Sequence, residues 1–482
     1  MTYRTVTYRR LAVLLAAGLT PLALTAPAAR AATPAKPYDF NGDGKADLAV
    51  GAPGATVGGK KGAGAVSVVY GSSSGLKPAS YKLLTQNSAG IPGAAETADA
   101  FGSSLASADL NRDGYADLLV GAPGEDVDGD TDDGTVVIVW GAKSGLSGGR
   151  TLVNHNQRDN DGYGKAVAAG DFTGDGLPEI AIGSAGFFGL NFVSGPFTKT
   201  GAFGGGNGGS FSYFIRPYSE SYGIEYLSTG DVTGRGFDGL VVHGREEGTD
   251  DAVTTLVDGS IGNFNDWLVT LPSGYVSAVG DIDGDGYDDI AVGNQRETSA
   301  DPAGAKGGKV TIRYGGPDGV ATGRAPLTLT QNTAGVPDTS ETGDAFGSGV
   351  SLGDANGDGY ADLAIGASGE NSGAGSLTVL YGSASGLKTS GAKTYTQNTA
   401  GVPGAGEKSD RFGGRTTLLD HSGDRRAELT VSAPGENAGD GAVWSLRGTT
   451  TGPTTSGAVS FGPSATGVAT TGSPAFGKTL GG

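Results

Sequence analysis

Residues 109–125 read DLNRDGYADLLVGAPGE and join a cluster of oxygen-bearing side chains to a short apolar run. Gly114 at position 6 of this segment allows the chain to turn sharply. The run LLVGAP that follows is typical of a short buried β-strand that ends in a turn. Carboxylates and an amide stand at positions 1, 3, 5 and 9, namely Asp109, Asn111, Asp113 and Asp117.

The same pattern occurs seven times, and this repetition predicts the fold class. The spacings lie between 50 and 73 residues, a period typical of a propeller, solenoid or array. An aromatic–Gly pair often stands eight residues before the loop, as in Phe101-Gly102. About four strand-like runs, separated by Gly, Ser, Pro or Asn turns, complete each unit, which is the content of one propeller blade. The copies begin at Asp39, Asp109, Asp171, Asp231, Asp281, Asp354 and Asp420.

The two ends of the sequence predict how the units close. The first loop begins at Asp39 without an aromatic–Gly strand of its own, and the final PAFGKTLGG contains Phe476-Gly477 with no loop after it. Pairing of this last strand with the first unit would complete a ring and remove exposed sheet edges. We therefore expect an all-β fold over residues 32–482, a single seven-bladed β-propeller of four-stranded blades closed by the C-terminal strand.

Residues 1–31 carry the pattern of a signal peptide. Arginines precede the apolar run LAVLLAAGL, and the sequence ARA at residues 29–31 fits a small-x-small cleavage site. The arginine pair at residues 9–10 is compatible with twin-arginine export. A membrane anchor is disfavoured because the run is short and interrupted by a glycine and a proline. We expect a secreted protein, extracellular or associated with the cell surface, without a membrane span.

Charge and cysteine content restrict the partners of this protein. The chain has 33 basic and 51 acidic side chains, a formal net charge of −18, and no cysteine. Such a surface repels nucleic acid, which is therefore not an expected partner. Disulfides cannot brace the loops, and the clustered carboxylates repel one another unless a cation lies among them.

The chemistry of the loops favours Ca²⁺ as that cation. Side chains at positions 1, 3, 5 and 9 and the backbone carbonyl at position 7 supply hard oxygen ligands, of which Ca²⁺ takes about six to eight. Mg²⁺ prefers fewer protein ligands, and Zn²⁺ is disfavoured by the lack of cysteine and the small number of histidines. An EF-hand is excluded because position 12 is an apolar strand residue such as Val120. Plain turns, in which the side chains cap their own backbone, are the remaining alternative.

Aromatic–Gly pairs, Asp-rich loops and Gly-Ala-Pro runs such as Gly121-Ala122-Pro123 resemble the FG-GAP repeat. The mature chain is similar in this respect to the seven-bladed propeller of integrin α subunits and of secreted bacterial relatives. The resemblance implies Ca²⁺ in the complete loops, held by side chains 1, 3, 5 and 9 and carbonyl 7, with a structural role. It implies about four to six ions.

The candidate ligands follow from the resemblance loop by loop. Four loops match fully: Asp39, Asn41, Asp43, Lys45 and Asp47; Asp109, Asn111, Asp113, Tyr115 and Asp117; Asp281, Asp283, Asp285, Tyr287 and Asp289; Asp354, Asn356, Asp358, Tyr360 and Asp362. Two match in part: Asp171, Thr173, Asp175, Leu177 and Glu179; Asp420, Ser422, Asp424, Arg426 and Glu428. Arg425 replaces the glycine in the last of these loops. The loop at Asp231 has lost its ligands, and the Arg235 guanidinium is a candidate to replace the metal there.

The sequence favours a non-catalytic binding or adhesion module. The G-x-S-x-G pattern at residues 71–75 recurs as a hairpin turn without a required serine, and the three histidines lie in different units. Aromatic residues between positions 186 and 267 either fill two irregular blades or form a ligand patch. We expect a monomer that binds an extracellular protein or polysaccharide. A secreted polysaccharide lyase or glycosidase with an acidic face, and a structural cell-envelope protein, are the alternatives.

Overall fold

Seven four-stranded antiparallel sheets make up the described part of the chain. The computed structural model describes residues 33–152, 154, 161–186, 189–200, 210–213, 218–258 and 268–481. The sheets follow one another along the sequence, and each corresponds to one unit of the sequence repeat. The protein is therefore an all-β, seven-bladed β-propeller, as predicted, whereas the expected signal peptide at residues 1–31 lies outside the described residues.

The first four blades follow the order of the chain, except that the C-terminal strand joins blade 1. Blade 1 contains β1 (Leu48–Ala52), β2 (Ala65–Val69), β3 (Tyr81–Leu84) and β30 (Thr479–Gly481). Blade 2 contains β4 (Ser104–Ala108), β5 (Asp117–Ala122), β6 (Thr135–Val139) and β7 (Gly149–Leu152). Blade 3 contains β8 (Ala166–Gly170), β9 (Glu179–Gly183), β10 (Leu190–Val193) and β11 (Ser210–Tyr213). Blade 4 contains β12 (Ile224–Gly230), β13 (Gly239–Arg245), β14 (Ala252–Val257) and β15 (Leu268–Thr270).

The remaining three blades have the same order of strands. Blade 5 contains β16 (Val276–Gly280), β17 (Asp289–Asn294), β18 (Lys309–Arg313) and β21 (Leu327–Leu329), with a small hairpin of β19 (Gly315–Gly316) and β20 (Gly319–Val320). Blade 6 contains β22 (Phe346–Gly353), β23 (Asp362–Ala367), β24 (Ser376–Tyr381) and β25 (Lys388–Tyr395). Blade 7 contains β26 (Arg415–Leu419), β27 (Glu428–Ala433), β28 (Ala442–Arg447) and β29 (Thr454–Phe461). Short helical turns lie at Glu370–Gly373, Glu436–Gly439 and Pro463–Thr466.

The C-terminal strand closes the ring. β30 pairs antiparallel with β1, so that Val50 lies opposite Leu480 and Gly51 opposite Thr479. The backbone N–H of Gly477 also donates to the carbonyl of Gly51 at 3.0 Å. The predicted closure is confirmed, and β30 supplies the innermost strand of a blade whose other strands come from the beginning of the described chain.

Close backbone contact between neighbouring blades explains the repeated glycines. A Cβ atom on Gly366 in β23 would overlap the carbonyl oxygen of Gly413, which belongs to the aromatic–Gly pair of the next blade. Gly121 and Gly164 repeat this relation between blades 2 and 3. Gly413 also has a φ of +89°, a conformation that favours glycine. The blades pack so closely at these points that both positions require glycine.

Candidate metal-binding loops

The seven Asp-led loops lie together at one end of the propeller. The loop at residues 109–117, for example, joins the innermost strand β4 to β5. The loop at residues 39–47 precedes β1, whose inner neighbour is β30. Because equivalent connections of all blades fall at the same end of the ring, these loops form one surface, which we call the loop face.

The first aspartate of each loop accepts backbone hydrogen bonds from its own loop. In the loop of blade 6, Asp354 Oδ2 accepts the N–H of Gly359 at 2.9 Å. Position 6 donates in the same way in every loop, including Arg425, whose N–H lies 2.8 Å from Asp420 Oδ2. Arg425 adopts a φ of +69°, so the loop at Asp420 keeps the common turn although its glycine has been replaced.

The ninth carboxylate is buried and connects its loop to the third strand of the blade. Asp362 is fully buried, and its oxygens accept the N–H groups of Ala355 and Gly382, each at 3.0 Å. Equivalent pairs of hydrogen bonds hold the ninth residues of three other loops, Asp47, Asp117 and Asp289. The sequence identified these residues only as candidate ligands, and the structure shows that they also fasten the loop to the blade.

Burial raises the pKa of these ninth carboxyl groups, because the charged form loses solvation. The pKa of Asp362 rises to about 7 in this way. Desolvation by burial likewise raises the pKa to about 7 for the ninth residues of five other loops, Asp47, Asp117, Glu179, Asp289 and Glu428. A divalent cation beside such a group favours its ionised form and so offsets the cost of burial.

Neighbouring loops are hydrogen-bonded to one another around the ring. The N–H of Ala361, at position 8 of its loop, donates to the carbonyl of Asp281 in the preceding blade at 2.8 Å. The bond recurs between five other pairs of adjacent loops, with donors Ala46, Ala116, Asp238, Asp288 and Ala427. The loop at Asp171 has Pro178 at position 8, which lacks an N–H. The loop face is therefore a nearly continuous backbone network.

The loop of blade 5 gathers three carboxylates at distances suited to a divalent cation. Asp281, Asp283 and Asp285 each place one oxygen within 4.8 Å of the others. Asp283 is only 8% exposed, and its Oδ1 has no hydrogen-bond partner among the described residues. Oxygen ligands on opposite sides of one Ca²⁺ lie about 5 Å apart. The residues of this loop thus fit a Ca²⁺ ion.

In four of the loops, a basic side chain contacts the carboxylate at position 3 or position 5. Lys199 Nζ lies 2.8 Å from Asp113 Oδ2, and Arg324 pairs with Asp283. Lys45 and Arg426 pair within their own loops with Asp43 and Asp424, at 3.3 and 2.7 Å. The loops at Asp171 and Asp354 take part in none of the ion pairs found in the described part of the chain. A bound cation would compete with these basic groups, so the loop at Asp354 offers the least hindered site.

The loop at Asp231 keeps the fold of the others without their ligands. The N–H of Gly236 donates to Asp231 Oδ2 at 2.7 Å, as position 6 does elsewhere. Arg235 Nη2 donates to the carbonyl of Pro317 at 2.8 Å. The guanidinium group therefore contacts the β19–β20 hairpin of the next blade, a partner that the sequence did not indicate.

The structure also places the other residues that the sequence singled out. Phe192, Phe197 and Tyr218 are buried, so these three aromatic residues belong to the core and not to a ligand patch. The side chains of Phe187, Phe188, Phe203, Phe211, Tyr213, Phe214 and Trp267 lie outside the described residues.

The structure brings together one pair that the sequence did not suggest. His243 Nε2 lies 2.7 Å from Ser277 Oγ, and His243 Nδ1 donates to the carbonyl of Gly274 at 2.9 Å. Both side chains are about 1% exposed. The pair is therefore a buried hydrogen bond of the core.

The matching protein-family model is described as the FG-GAP repeat. It matches residues 37–69, 101–139, 163–210, 273–312 and 346–380. These five segments contain the loops at Asp39, Asp109, Asp171, Asp281 and Asp354. The described residues contain no helix with both the length and the apolar character needed to cross a membrane.

Several known proteins are similar to part of this chain. Phosphatidylinositol-glycan-specific phospholipase D of Rattus norvegicus is 34% identical over 162 residues, which are 33% of this chain and 19% of the phospholipase. Integrin alpha pat-2 of Caenorhabditis briggsae is 41% identical over 90 residues, 17% of this chain and 7% of the integrin. Human integrin alpha-6 is 35% identical over 88 residues, 18% of this chain and 8% of the integrin.

The fold and the repeated loops define a seven-bladed β-propeller that contains five FG-GAP repeats. Part of the chain is homologous to integrin alpha chains. The matched segments are less than a fifth of the length of each relative. The homology therefore concerns the propeller and not the whole of any of these proteins.

Proposed function

We propose that this chain is a secreted Ca²⁺-binding β-propeller that serves as a non-catalytic binding module for an extracellular protein or glycan. The convergence of Asp281, Asp283 and Asp285, with an unpartnered buried oxygen on Asp283, carries the proposal of Ca²⁺ binding. The homology to integrin alpha chains supports a binding role. The phospholipase matches over only 19% of its length, so its activity is not carried over.

The proposed role of Ca²⁺ is structural. Oxygens at positions 1, 3, 5 and 9 and the carbonyl at position 7 would hold the ion in the loops beginning at Asp39, Asp109, Asp171, Asp281, Asp354 and Asp420. An ion there would neutralise carboxylates that otherwise repel one another. Because adjacent loops share backbone hydrogen bonds, fixing one loop would also restrain its neighbour. Ca²⁺ would thus brace the loop face in a protein without disulfides.

The first experiment is to count bound metal and to follow thermal unfolding of the purified protein. We expect about four to six Ca²⁺ ions per chain and a rise in melting temperature that Ca²⁺ produces and Mg²⁺ does not. A chelator should reverse the rise. No bound metal together with an unchanged melting temperature would show that the loops are only turns.

Secretion and the domain boundary have a separate test. We propose cleavage after Ala31, so that the exported protein begins at Ala32 and consists of one propeller domain. N-terminal sequencing of the protein recovered from the medium or the cell surface checks this. A chain that keeps its first residues would contradict the proposed signal peptide.

Catalysis would be the main competitor of a binding role. Incubation of the protein with acidic and neutral polysaccharides, followed by measurement of new reducing ends and unsaturated products, tests for glycosidase and lyase activity. We expect neither product. Turnover that disappears with a substitution of surface carboxylates would favour a polysaccharide-active enzyme instead.

A further inference from the structure

A cavity of about 320 Å³ lies on the axis of the propeller, where the innermost strands of all seven blades meet. Its volume is near the lower end of about 300–1,000 Å³ that is usual for small-molecule sites, and it suits one sugar-sized group. Half of its wall is apolar, with residues such as Leu227, Val279 and Leu352. The innermost strands begin at one end of this cavity and run towards the loop face. We call the end where they begin the channel mouth.

Three blades place a basic residue at the channel mouth, at the start of the innermost strand. Lys165 directly precedes β8, Arg415 begins β26, and Lys478 directly precedes β30. Lys165 and Arg415 line the cavity, while Lys478 is exposed next to its lining residue Thr479. These three positions lie far apart in the sequence, and ring closure alone brings them to one site.

Two of these basic side chains, Arg415 and Lys165, donate to backbone carbonyls. Arg415 Nη1 donates to the carbonyl of Ser348 at 3.0 Å, and Lys165 Nζ donates to the carbonyl of Tyr222. None of the three takes part in the ion pairs of the described residues. Desolvation by surrounding protein and the nearby guanidinium groups of Arg415 and Arg411 lower the pKa of Lys478. Lys478 and Arg415 therefore lie close enough for their charges to repel.

The acidic residue that lines the mouth lies among basic groups: desolvation lowers the pKa of Lys165, and the nearby charge of Glu225 opposes that shift. Glu225 pairs with Arg245 through two hydrogen bonds, from Nε at 3.0 Å and from Nη2 at 3.2 Å. The Arg245 guanidinium also lies over the ring of Tyr222, 4.3 Å from its centroid. An excess of positive charge thus remains at the channel mouth of a protein whose net charge is −18.

Hydroxyl groups lie deeper in the same cavity. Ser277, Ser351 and Thr416 line it below the basic residues. Each is hydrogen-bonded within the protein, but a hydroxyl oxygen has two lone pairs and keeps capacity for a further partner. Cations at the rim and hydroxyls in the wall match a ligand that carries both an acid group and several hydroxyls.

We propose that the channel mouth binds one unit of an acidic glycan, a sugar that bears a carboxylate or sulfate group. The acid group pairs with Arg415 and Lys478, and the sugar hydroxyls reach the serine and threonine side chains below. The acidic outer surface repels the rest of such a chain, so that binding is directed to the mouth. This inference rests on the proposed role as a binding module and names its ligand class.

Calorimetric titration of the purified protein in Ca²⁺-containing buffer tests the proposal. The probes are a uronic acid trimer, a sulfated sugar trimer, a neutral trimer of the same length, and a glutamate-rich peptide. We expect binding of an acidic trimer, no binding of the neutral trimer, and weaker binding as salt rises. Binding of the peptide in place of both acidic trimers would overturn the assignment to a glycan.

Two substitutions locate the site. Arg415→Met and Lys478→Met should each lower the affinity for the acidic trimer about tenfold or more, since each removes one charge pair. Lys82→Met, on the exposed outer strand β3, is the matched control and should bind as the original protein does. Lys478 is exposed, so its substitution tests the site even if Arg415→Met unfolds the protein.

Two results would overturn the inference. One is that neither acidic trimer binds, and the other is that both substitutions leave the affinity unchanged. The Ca²⁺-dependent melting temperature, measured on the same samples, separates this failure from failure of the proposed function. A protein that keeps its Ca²⁺ response but ignores acidic trimers would refute the channel-mouth site alone.

Discussion

A single methyl group placed at Gly382 should destabilise the loop face. Gly382 follows β24, and its N–H donates to the buried carboxylate of Asp362 at 3.0 Å. A Cβ atom there would lie 2.5 Å from the carbonyl oxygen of Ala361 and 2.7 Å from that of Ile282 in the preceding blade. Ordinary contacts of a Cβ atom begin at 3.4 Å, so the two backbones would have to separate by most of an ångström.

The expected cost of Gly382→Ala follows from this shortfall. Overpacking of a close-packed site costs about 1–3 kcal/mol, and both obstacles at this position are backbone atoms that cannot rotate away. Alanine also reduces the conformational entropy of the unfolded chain, which stabilises the folded protein by about 0.4–1 kcal/mol. We therefore expect a net loss of about 1–2 kcal/mol in the free energy of unfolding. The hydrogen bond to Asp362 would also lengthen, so the response to Ca²⁺ should weaken.

Urea unfolding followed by circular dichroism, with and without Ca²⁺, measures this loss. Gly323→Ala is the matched control, because Gly323 is exposed and a Cβ atom there meets nothing within 4 Å. The control should change the free energy of unfolding by no more than about 0.5 kcal/mol. Equal stability of the two variants would refute the view that backbone contact between adjacent loops holds the loop face together.

Three further predictions concern Ca²⁺, pH and ring closure. Because Asp358 is exposed, Asp358→Asn should change the free energy of unfolding by no more than about 0.5 kcal/mol when a chelator is present. The same substitution should lower the number of bound Ca²⁺ ions by one. An unchanged number of ions would contradict the role of Asp358 as a ligand. Burial lowers the pKa of His243 to about 4, so the folded protein favours the neutral imidazole. Its contribution to the free energy of unfolding is fully present above pH 6.5 and is lost as the pH falls towards 4. Between pH 7 and pH 5 the protonation of His243 should lower the free energy of unfolding by about 2 kcal/mol. Urea unfolding of the original protein and of His243→Gln at both pH values measures this loss, and parallel pH profiles of the two proteins would contradict it. Deletion of residues 476–482 removes β30 and exposes the edge of β1, which should lower stability and promote association visible in size-exclusion chromatography.

Local patterns in the sequence predicted the repeating architecture. The alternation of an aromatic–Gly pair, an Asp-led loop and an apolar run depends on residues a few positions apart, and such short-range relations persist in the fold. The aromatic–Gly pair Phe476-Gly477 has no Asp-led loop after it, and the loop at Asp39 has no aromatic–Gly pair before it. Because these two segments complete one repeat unit, they predicted that the ring closes. The common turn of the loops, with position 6 bonded to the first aspartate, is likewise local.

Other features depend on which blades become neighbours, and no short-range pattern encodes them. The ion pair between Lys199 and Asp113 joins two blades, as does the hydrogen bond from Arg235 to Pro317. The sequence could not show whether Phe192 is buried or exposed, because aromatic residues occur both in strand cores and in ligand patches.

The sequence by itself determined the number of blades, their order and the candidate ligands of each loop. Only the tertiary structure showed which carboxylates are buried and fasten their loop to the blade, such as Asp362, and which are exposed, such as Asp358. It also decided that Lys165 and Arg415 line one axial cavity, with Lys478 next to its lining residue Thr479. The physical reason is that periodicity fixes each blade locally, whereas the charge on the axis is a sum over distant blades that only a closed ring brings together.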